Sequence, residues 1–172
     1  ELVERQVRAI DPVTKKPTLV PGWTTAAMIE TERRMLALEQ AGRGSVDRLM
    51  HGLDAQALIG QARALAEERG FSWTQGQVEA TRGILTTSAR VLAVQGYAGT
   101  AKTTTVLATV AAAARQRGYT VKGMAPTTDA TLGLAAAIGG EAVTVQRQVA
   151  ELARGEASPR RGRQLWIVDE AS

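Results

Sequence analysis

The feature that most constrains this chain is the run Gly96-Tyr97-Ala98-Gly99-Thr100-Ala101-Lys102-Thr103, set between an apolar stretch and an alanine-rich one. Upstream, Val91–Val94 is short and wholly apolar, which predicts a strand over Arg90–Gln95 buried on both faces of a parallel sheet. Downstream, the segment from Lys102 to Arg117 predicts a helix that Gly118 stops. Strand, glycine-rich loop and helix in that order form a phosphate cradle. Glycines let the backbone curl until its N–H groups point at phosphate oxygens. The helix N-terminus adds partial positive charge. On this reading Gly96, Tyr97, Ala98, Gly99, Thr100, Ala101, Lys102, Thr103 and Thr104 form a nucleotide site. Lys102 reaches the β- and γ-phosphates of ATP, and the Thr103 hydroxyl binds Mg²⁺. One position departs from the pattern: Ala101 stands where glycine is usual. If that position needs a positive φ, alanine costs about 1–2 kcal/mol. If it is already helical, the cost is small.

A second acidic element supports the first. Leu165–Val168 is an apolar strand that runs into Asp169-Glu170. Carboxylates at the carboxyl end of a parallel strand lie where open α/β sheets bind ligands. Asp169 is placed to hold Mg²⁺, directly or through water, and Glu170 to orient and deprotonate an attacking water. Alone, such a pair is equally a solvated turn; downstream of a phosphate cradle it is much more specific. Lys102 and Glu170 are therefore the candidate catalytic residues, and Thr103 and Asp169 the candidate metal ligands.

Around these motifs the pattern alternates. A helix is predicted from Thr24 or Thr25 to Ala41, with Met28, Ile29, Met35 and Leu36 on one face and a Glu30–Arg34 pair on the other. A second runs from Asp54 to Arg69 with an apolar stripe of Ala55, Leu58, Ile59, Ala62, Leu65 and Ala66. Residues 1–22 read as irregular, broken by Pro12, Pro17 and Pro21, with a short strand or turn inside Val13–Val20. From Phe71 onward come a helix over Gln75–Leu85, a strand over Thr120–Met124, helices over Asp129–Ile138 and Val145–Leu152, a basic loop over Arg154–Arg163 and a last strand over Gln164–Val168. Strands alternating with helices imply a parallel sheet with helices on both faces. The expected organisation is a helical lead-in over 1–70 and an α/β domain over 71–172.

Thr74 and Gln77 fit a capping box at the start of a helix, and Ser72 and Gln75 fit one equally well. The competing reading is that a glutamine amide, both donor and acceptor, recognises adenine. Pro126-Thr127-Thr128-Asp129 is likewise either a plain strand-to-helix turn or a site that offers a hydroxyl to a phosphate oxygen.

Composition excludes several classes. Without cysteine there is no disulfide and no thiolate metal site, and His51 alone cannot build a histidine site. No apolar run approaches the roughly 18 residues of a membrane span, and no signal peptide stands at the start. A formal charge of +4 is a mild pointer to a polyanionic partner. Aromatics are 3%, so Ala, Val and Leu must fill the core. The first residue is Glu and the last four are Asp-Glu-Ala-Ser, so both ends read as cuts through a longer chain.

From Phe71 to Ser172 the chain resembles the start of a RecD-like superfamily 1 helicase, and most of all the helicase portion of TraI/TrwC-type (MobF) conjugative relaxases. The resemblance rests on Trp73–Gln77, Val94–Thr100, Ala125-Pro126-Thr127, Val143-Thr144 and Val168–Ser172, with Trp23-Thr24-Thr25, Glu32-Arg33 and Ala41–Gly44 upstream. It implies a partial RecA-like P-loop NTPase fold that stops just after the acidic pair. It implies ATP and Mg²⁺ as ligands, Gln77 as the adenine contact, and Pro126, Thr127 and Thr128 as contacts to single-stranded DNA. It implies a bacterial cytoplasmic plasmid-conjugation protein that couples ATP hydrolysis to movement on single-stranded DNA. A second RecA-like domain with its arginine finger, a relaxase domain, and secretion or relaxosome proteins would be its partners. This stretch alone is expected to hydrolyse ATP feebly and to unwind nothing. The alternative is a module that binds single-stranded DNA or a secretion partner with an idle nucleotide site, in which Arg160, Arg161 and Arg163 would serve.

Overall fold

The computed structural model describes residues 2–96, 101–155 and 162–170, with the Lys102 side chain outside that set. They fall into two compact units, 1–46 with 89–91, and 47–88 with 92–172.

In the first unit, β1 (Leu2–Ile10) and β2 (Pro17–Thr25) form an antiparallel hairpin that leads into α1 (Ala26–Ala41). This corrects the expectation of an irregular start. Pro17 and Pro21 are tolerated because both strands of a two-stranded ladder are edges, where a missing N–H can face outward. They lie opposite Ile10 and Gln6. Asp11 closes the turn, its carboxylate accepting from the N–H groups of Val13 at 2.9 Å and Thr14 at 2.6 Å. Thr25 caps α1 through the Met28 N–H. Arg5 bridges to Glu32 at 2.6 Å, tying hairpin to helix. The apolar stripe expected on α1 does not become a core: Met28, Met35 and Leu36 are all more than half exposed. Glu30 pairs with Arg33 at 3.9 Å rather than with Arg34. Among the described residues of this unit only Gly42 is buried.

The second unit is built around a sheet. Helices α2 (Gly52–Glu68) and α3 (Gln75–Thr86) pack together, burying Ala55 and Ile59 from one and Val78, Thr81 and Leu85 from the other. Sequence grouping placed α2 with the lead-in; in the structure it shares a core with α3. A π-helical turn, Lys102–Leu107, runs into α4 (Ala108–Gln116), which buries Val110, Ala111, Ala113 and Ala114. Then come β3 (Thr120–Ala125), α5 (Thr128–Ile138), β4 (Ala142–Thr144), α6 (Val145–Ala153) and β5 (Gln164–Val168).

The sheet order is β4-β3-β5 and both pairings are parallel. The chain therefore steps to one side of β3 through α5 and returns past it through α6. Right-handed crossovers in opposite directions put those helices on opposite faces. Gly123 shows how closely α5 sits: a Cβ there would lie 2.9 Å from side-chain atoms of Leu134, Ile138 and Ala142. The core is aliphatic, with Leu85, Val106, Val110, Leu134 and Ile138 at 2% exposure or less. Burying a leucine of this kind contributes roughly 1.5–3 kcal/mol. The short β4 escaped the sequence reading.

The expected strand over Arg90–Gln95 is absent: residues 91–96 adopt no regular secondary structure. Val91, Leu92 and Val94 are 52%, 47% and 39% exposed, so the run is not enclosed by a sheet. It passes from the first unit into the second, and a strand needs a ladder partner that apolar composition alone does not supply. Among the described residues no helix is long and apolar enough to cross a membrane.

Candidate nucleotide site

Three parallel strands end on one edge of the sheet, and each end carries a residue of interest. Register pairs Ala125 with Thr144 and Met124 with Val168. The ladder continues one step past β5, where the Asp169 N–H donates to the Met124 carbonyl at 2.9 Å. Asp169-Glu170 thus emerges beside Pro126-Thr127-Thr128, at the sheet edge where open α/β folds bind ligands.

Asp169 is held from two sides. The Thr103 hydroxyl donates to its Oδ2 at 2.6 Å, and the Glu170 N–H donates to its Oδ1 at 3.0 Å. Both Thr103 and Asp169 are half-buried. A chain contact spanning 66 residues therefore joins the start of the glycine-loop helix to the acidic strand end. A hydroxyl and a carboxylate, both hard oxygen donors, suit Mg²⁺, which takes one or two carboxylates and completes its shell with phosphate and water. The site fits that ion. Among the described residues no cluster of three or more His, Cys, Asp or Glu offers a rival metal centre.

The family model described as an AAA domain matches residues 72–172. The chain belongs to the AAA-domain family of P-loop NTPases. Curated proteins and solved structures give no match. P-loop NTPase domains generally bind ATP with Mg²⁺.

The phosphate-loop side of this AAA domain is strained where the sequence departs from pattern. Ala101 has φ 49° and ψ 29°, the left-handed region, so the alanine bears the cost of about 1–2 kcal/mol that glycine would avoid. Its carbonyl accepts from both the N–H and the hydroxyl of Thr105, at 3.0 and 2.6 Å. The exposed Thr104 hydroxyl makes a longer bond to the same oxygen, 3.4 Å. The helix opens as a π-turn rather than an α-turn, a local irregularity frequent at functional sites. Glu170, at φ 53°, is the second non-glycine residue of the site in the left-handed region. Of the three such residues in the described chain, two therefore belong to this site; the third is Lys15. Strain of this kind persists only where its surroundings hold it. Ala101 is held by the helix it starts, and Glu170 by Asp169. Tyr97, Ala98, Gly99, Thr100 and the Lys102 side chain lie outside the described residues, and Gly96 precedes them without strand structure.

Gln77 sits at the start of α3 in a complete capping box. Thr74 accepts from the Gln77 N–H at 3.3 Å, and the Gln77 side-chain oxygen accepts from the Thr74 N–H at 2.8 Å. Of the two boxes the sequence allows, this one forms, while Gln75 turns to Glu79 at 2.9 Å. Its side-chain oxygen is thus committed to the helix start. Thr127 caps α5 by accepting from the Ala130 N–H at 3.2 Å, and Pro126, Thr127 and Thr128 are all exposed. The cap and an exposed contact surface coexist there. Of the basic loop, Arg163 is described: it lies 5.8 Å from the Tyr119 ring centre and 3.5 Å from Asp47. Arg160 and Arg161 lie outside the described residues. No residue type announced the Asp169–Met124 ladder bond or the left-handed Glu170, because both depend on neighbours distant in the chain.

Proposed function

We propose that this chain contains the first RecA-like domain of an ATP-driven DNA helicase, of the kind joined to a conjugative relaxase. In this reading residues 71–172 form the nucleotide-binding part, α2 belongs to the same core, and 1–46 form a lead-in. The observation that carries it is the 2.6 Å bond between Thr103 and Asp169, which joins the two halves of a P-loop nucleotide site. Lys102 neutralises the phosphates of bound ATP, Thr103 and Asp169 hold Mg²⁺, and Glu170 activates water at the γ-phosphate. Gln77 is the adenine contact in this reading. Pro126, Thr127 and Thr128, exposed beside Asp169-Glu170, touch single-stranded DNA, so that nucleotide state and DNA contact share one sheet edge.

The test is calorimetric titration of ATP with wild type, Thr103→Val and Lys102→Ala, with Mg²⁺ and with chelator. Thr103→Val is expected to weaken ATP binding at least tenfold with Mg²⁺ and little in chelator; Lys102→Ala weakens it in both. Equal Mg²⁺-dependent affinity for Thr103→Val and wild type overturns the site assignment. The left-handed Ala101 favours a second reading, an idle nucleotide site in a DNA-binding module. That reading is selected if wild type fails to bind ATP–Mg²⁺ yet binds an oligonucleotide as Lys102→Ala does.

A further inference from the structure

A cleft of about 250 Å³ opens between α2 and α3, lined by Gln56, Ile59, Gly60, Arg63, Val78 and Arg82. Its floor is apolar, since Ile59 is 4% and Val78 8% exposed. Its rim is cationic. Arg82 forms no ion pair among the described residues, and Arg63 reaches Glu67 only at 4.0 Å, the outer limit of an ion pair. Gly60 lies in the interior of α2, where glycine weakens a helix relative to alanine. A Cβ there would meet nothing within 4 Å, so packing inside the chain gives no reason for the glycine. Open space above a helix-interior glycine, beside two incompletely paired guanidinium groups, fits a group that approaches the backbone from outside.

We propose that this cleft binds a backbone phosphate of single-stranded nucleic acid, with the adjoining sugar against Ile59 and Val78. Guanidinium forks match phosphate oxygens in planar, bidentate fashion. The volume lies below the roughly 300–1,000 Å³ of sites that enclose a whole small ligand, which favours one phosphate and its sugar over a complete nucleoside triphosphate. An acidic peptide offers the same charge, and competition at matched charge separates the two. The proposal rests on the reading that the chain engages DNA, and adds a contact remote in sequence from Pro126–Thr128.

The experiment is anisotropy of a labelled single-stranded oligonucleotide with the full chain, over a salt series. It compares wild type, the double variant Arg63→Ala/Arg82→Ala, and Gly60→Leu, which fills the cleft and keeps both arginines. The double variant is expected to bind at least fivefold more weakly. Its log–log salt slope should fall by about 0.7–1.4, the value for one or two single-strand phosphate contacts. Gly60→Leu should also weaken binding while circular dichroism shows equal or greater helicity. Affinities and slopes unchanged in both variants overturn the cleft and leave the DNA reading standing. No binding by wild type overturns both. A parallel loss of ATP–Mg²⁺ affinity in the double variant assigns the arginines to nucleotide and overturns the proposal. So does displacement of the oligonucleotide by oligoglutamate at matched charge while polyphosphate fails.

Discussion

The two units reach order by different means. The second buries Leu85, Val106, Val110, Leu134 and Ile138 almost completely, and its helices pack onto a sheet. The first leaves Leu19, Trp23, Met35, Leu36 and Leu38 more than 60% exposed, and its elements are joined by a strand ladder, a helix cap, an Asp-centred turn and the Arg5–Glu32 bridge. The difference teaches which forces position a site. Hydrophobic burial is non-directional and large, so it fixes whole elements relative to one another. Directional polar bonds set local geometry but give only about 0.5–1.5 kcal/mol each. The candidate nucleotide site needs both, and it lies in the unit that has both.

The sharpest break in this comparison is a truncation on each side. Leu134→Ala leaves a cavity between α5 and the sheet, and should cost about 2–5 kcal/mol by urea unfolding. Met35→Ala, made at an exposed position, should stay within about 0.5 kcal/mol. A loss above about 2 kcal/mol for Met35 would show that α1 has a covered face after all. A smaller contrast comes from helix caps. Thr144→Ala removes the bond to the Arg147 N–H and Thr25→Ala the bond to the Met28 N–H, at 3.2 and 3.1 Å. Each should cost about 1 kcal/mol of local helix stability. In the second unit the loss should appear in global unfolding. In the first it should appear only as faster hydrogen exchange along α1. Next is Ala101→Gly, which relieves the left-handed alanine. It should raise stability by no more than about 1 kcal/mol, the strain relieved less the added freedom of the unfolded chain, and tighten ATP–Mg²⁺ binding severalfold. Unchanged binding on calorimetric titration would separate the strain from the site.

How much could be read in advance follows the same division. Helices α1, α2, α3, α5 and α6 and strands β3 and β5 follow from caps and periodicity, because Thr25, Thr74, Thr127 and Thr144 each sit just ahead of a helix and accept a backbone N–H. The Thr103–Asp169 pairing was legible as two motifs, although the bond between them depends on β5 lying next to β3. The Arg90–Gln95 segment misled because an apolar run declares burial without naming a ladder partner. The α1 stripe misled for the same reason: Met28, Met35 and Leu36 have helical spacing, but spacing does not supply a covering surface. The hairpin was hidden by Pro17 and Pro21, which argue against a central strand and are silent about an edge. The conformation of Ala101 was posed in advance as a question, and its φ of 49° answers it.

The smallest effect tests whether the first unit depends on polar bonds at all. The Asp11 carboxylate is held below its ordinary value of 3.8, chiefly by the Thr14 N–H, then by the Val13 N–H and the Thr14 hydroxyl. A carboxylate with a depressed folded value contributes stability that is complete above the unfolded value and is lost as pH falls through the folded one. The hairpin turn should therefore hold at pH 5 and loosen only below about pH 3.8. By nuclear magnetic resonance, the Val13 and Thr14 amide signals should move upfield in that window, as their bonds to Asp11 weaken. The amides of Leu134 and Ile138, buried in the other unit, should not follow the same titration. Asp11→Asn should flatten the Val13 and Thr14 curves. If the wild-type curves are already flat, or if both units titrate together, the hairpin is not held by this carboxylate, and the contrast between a polar-bonded unit and a packed one fails at its most local point.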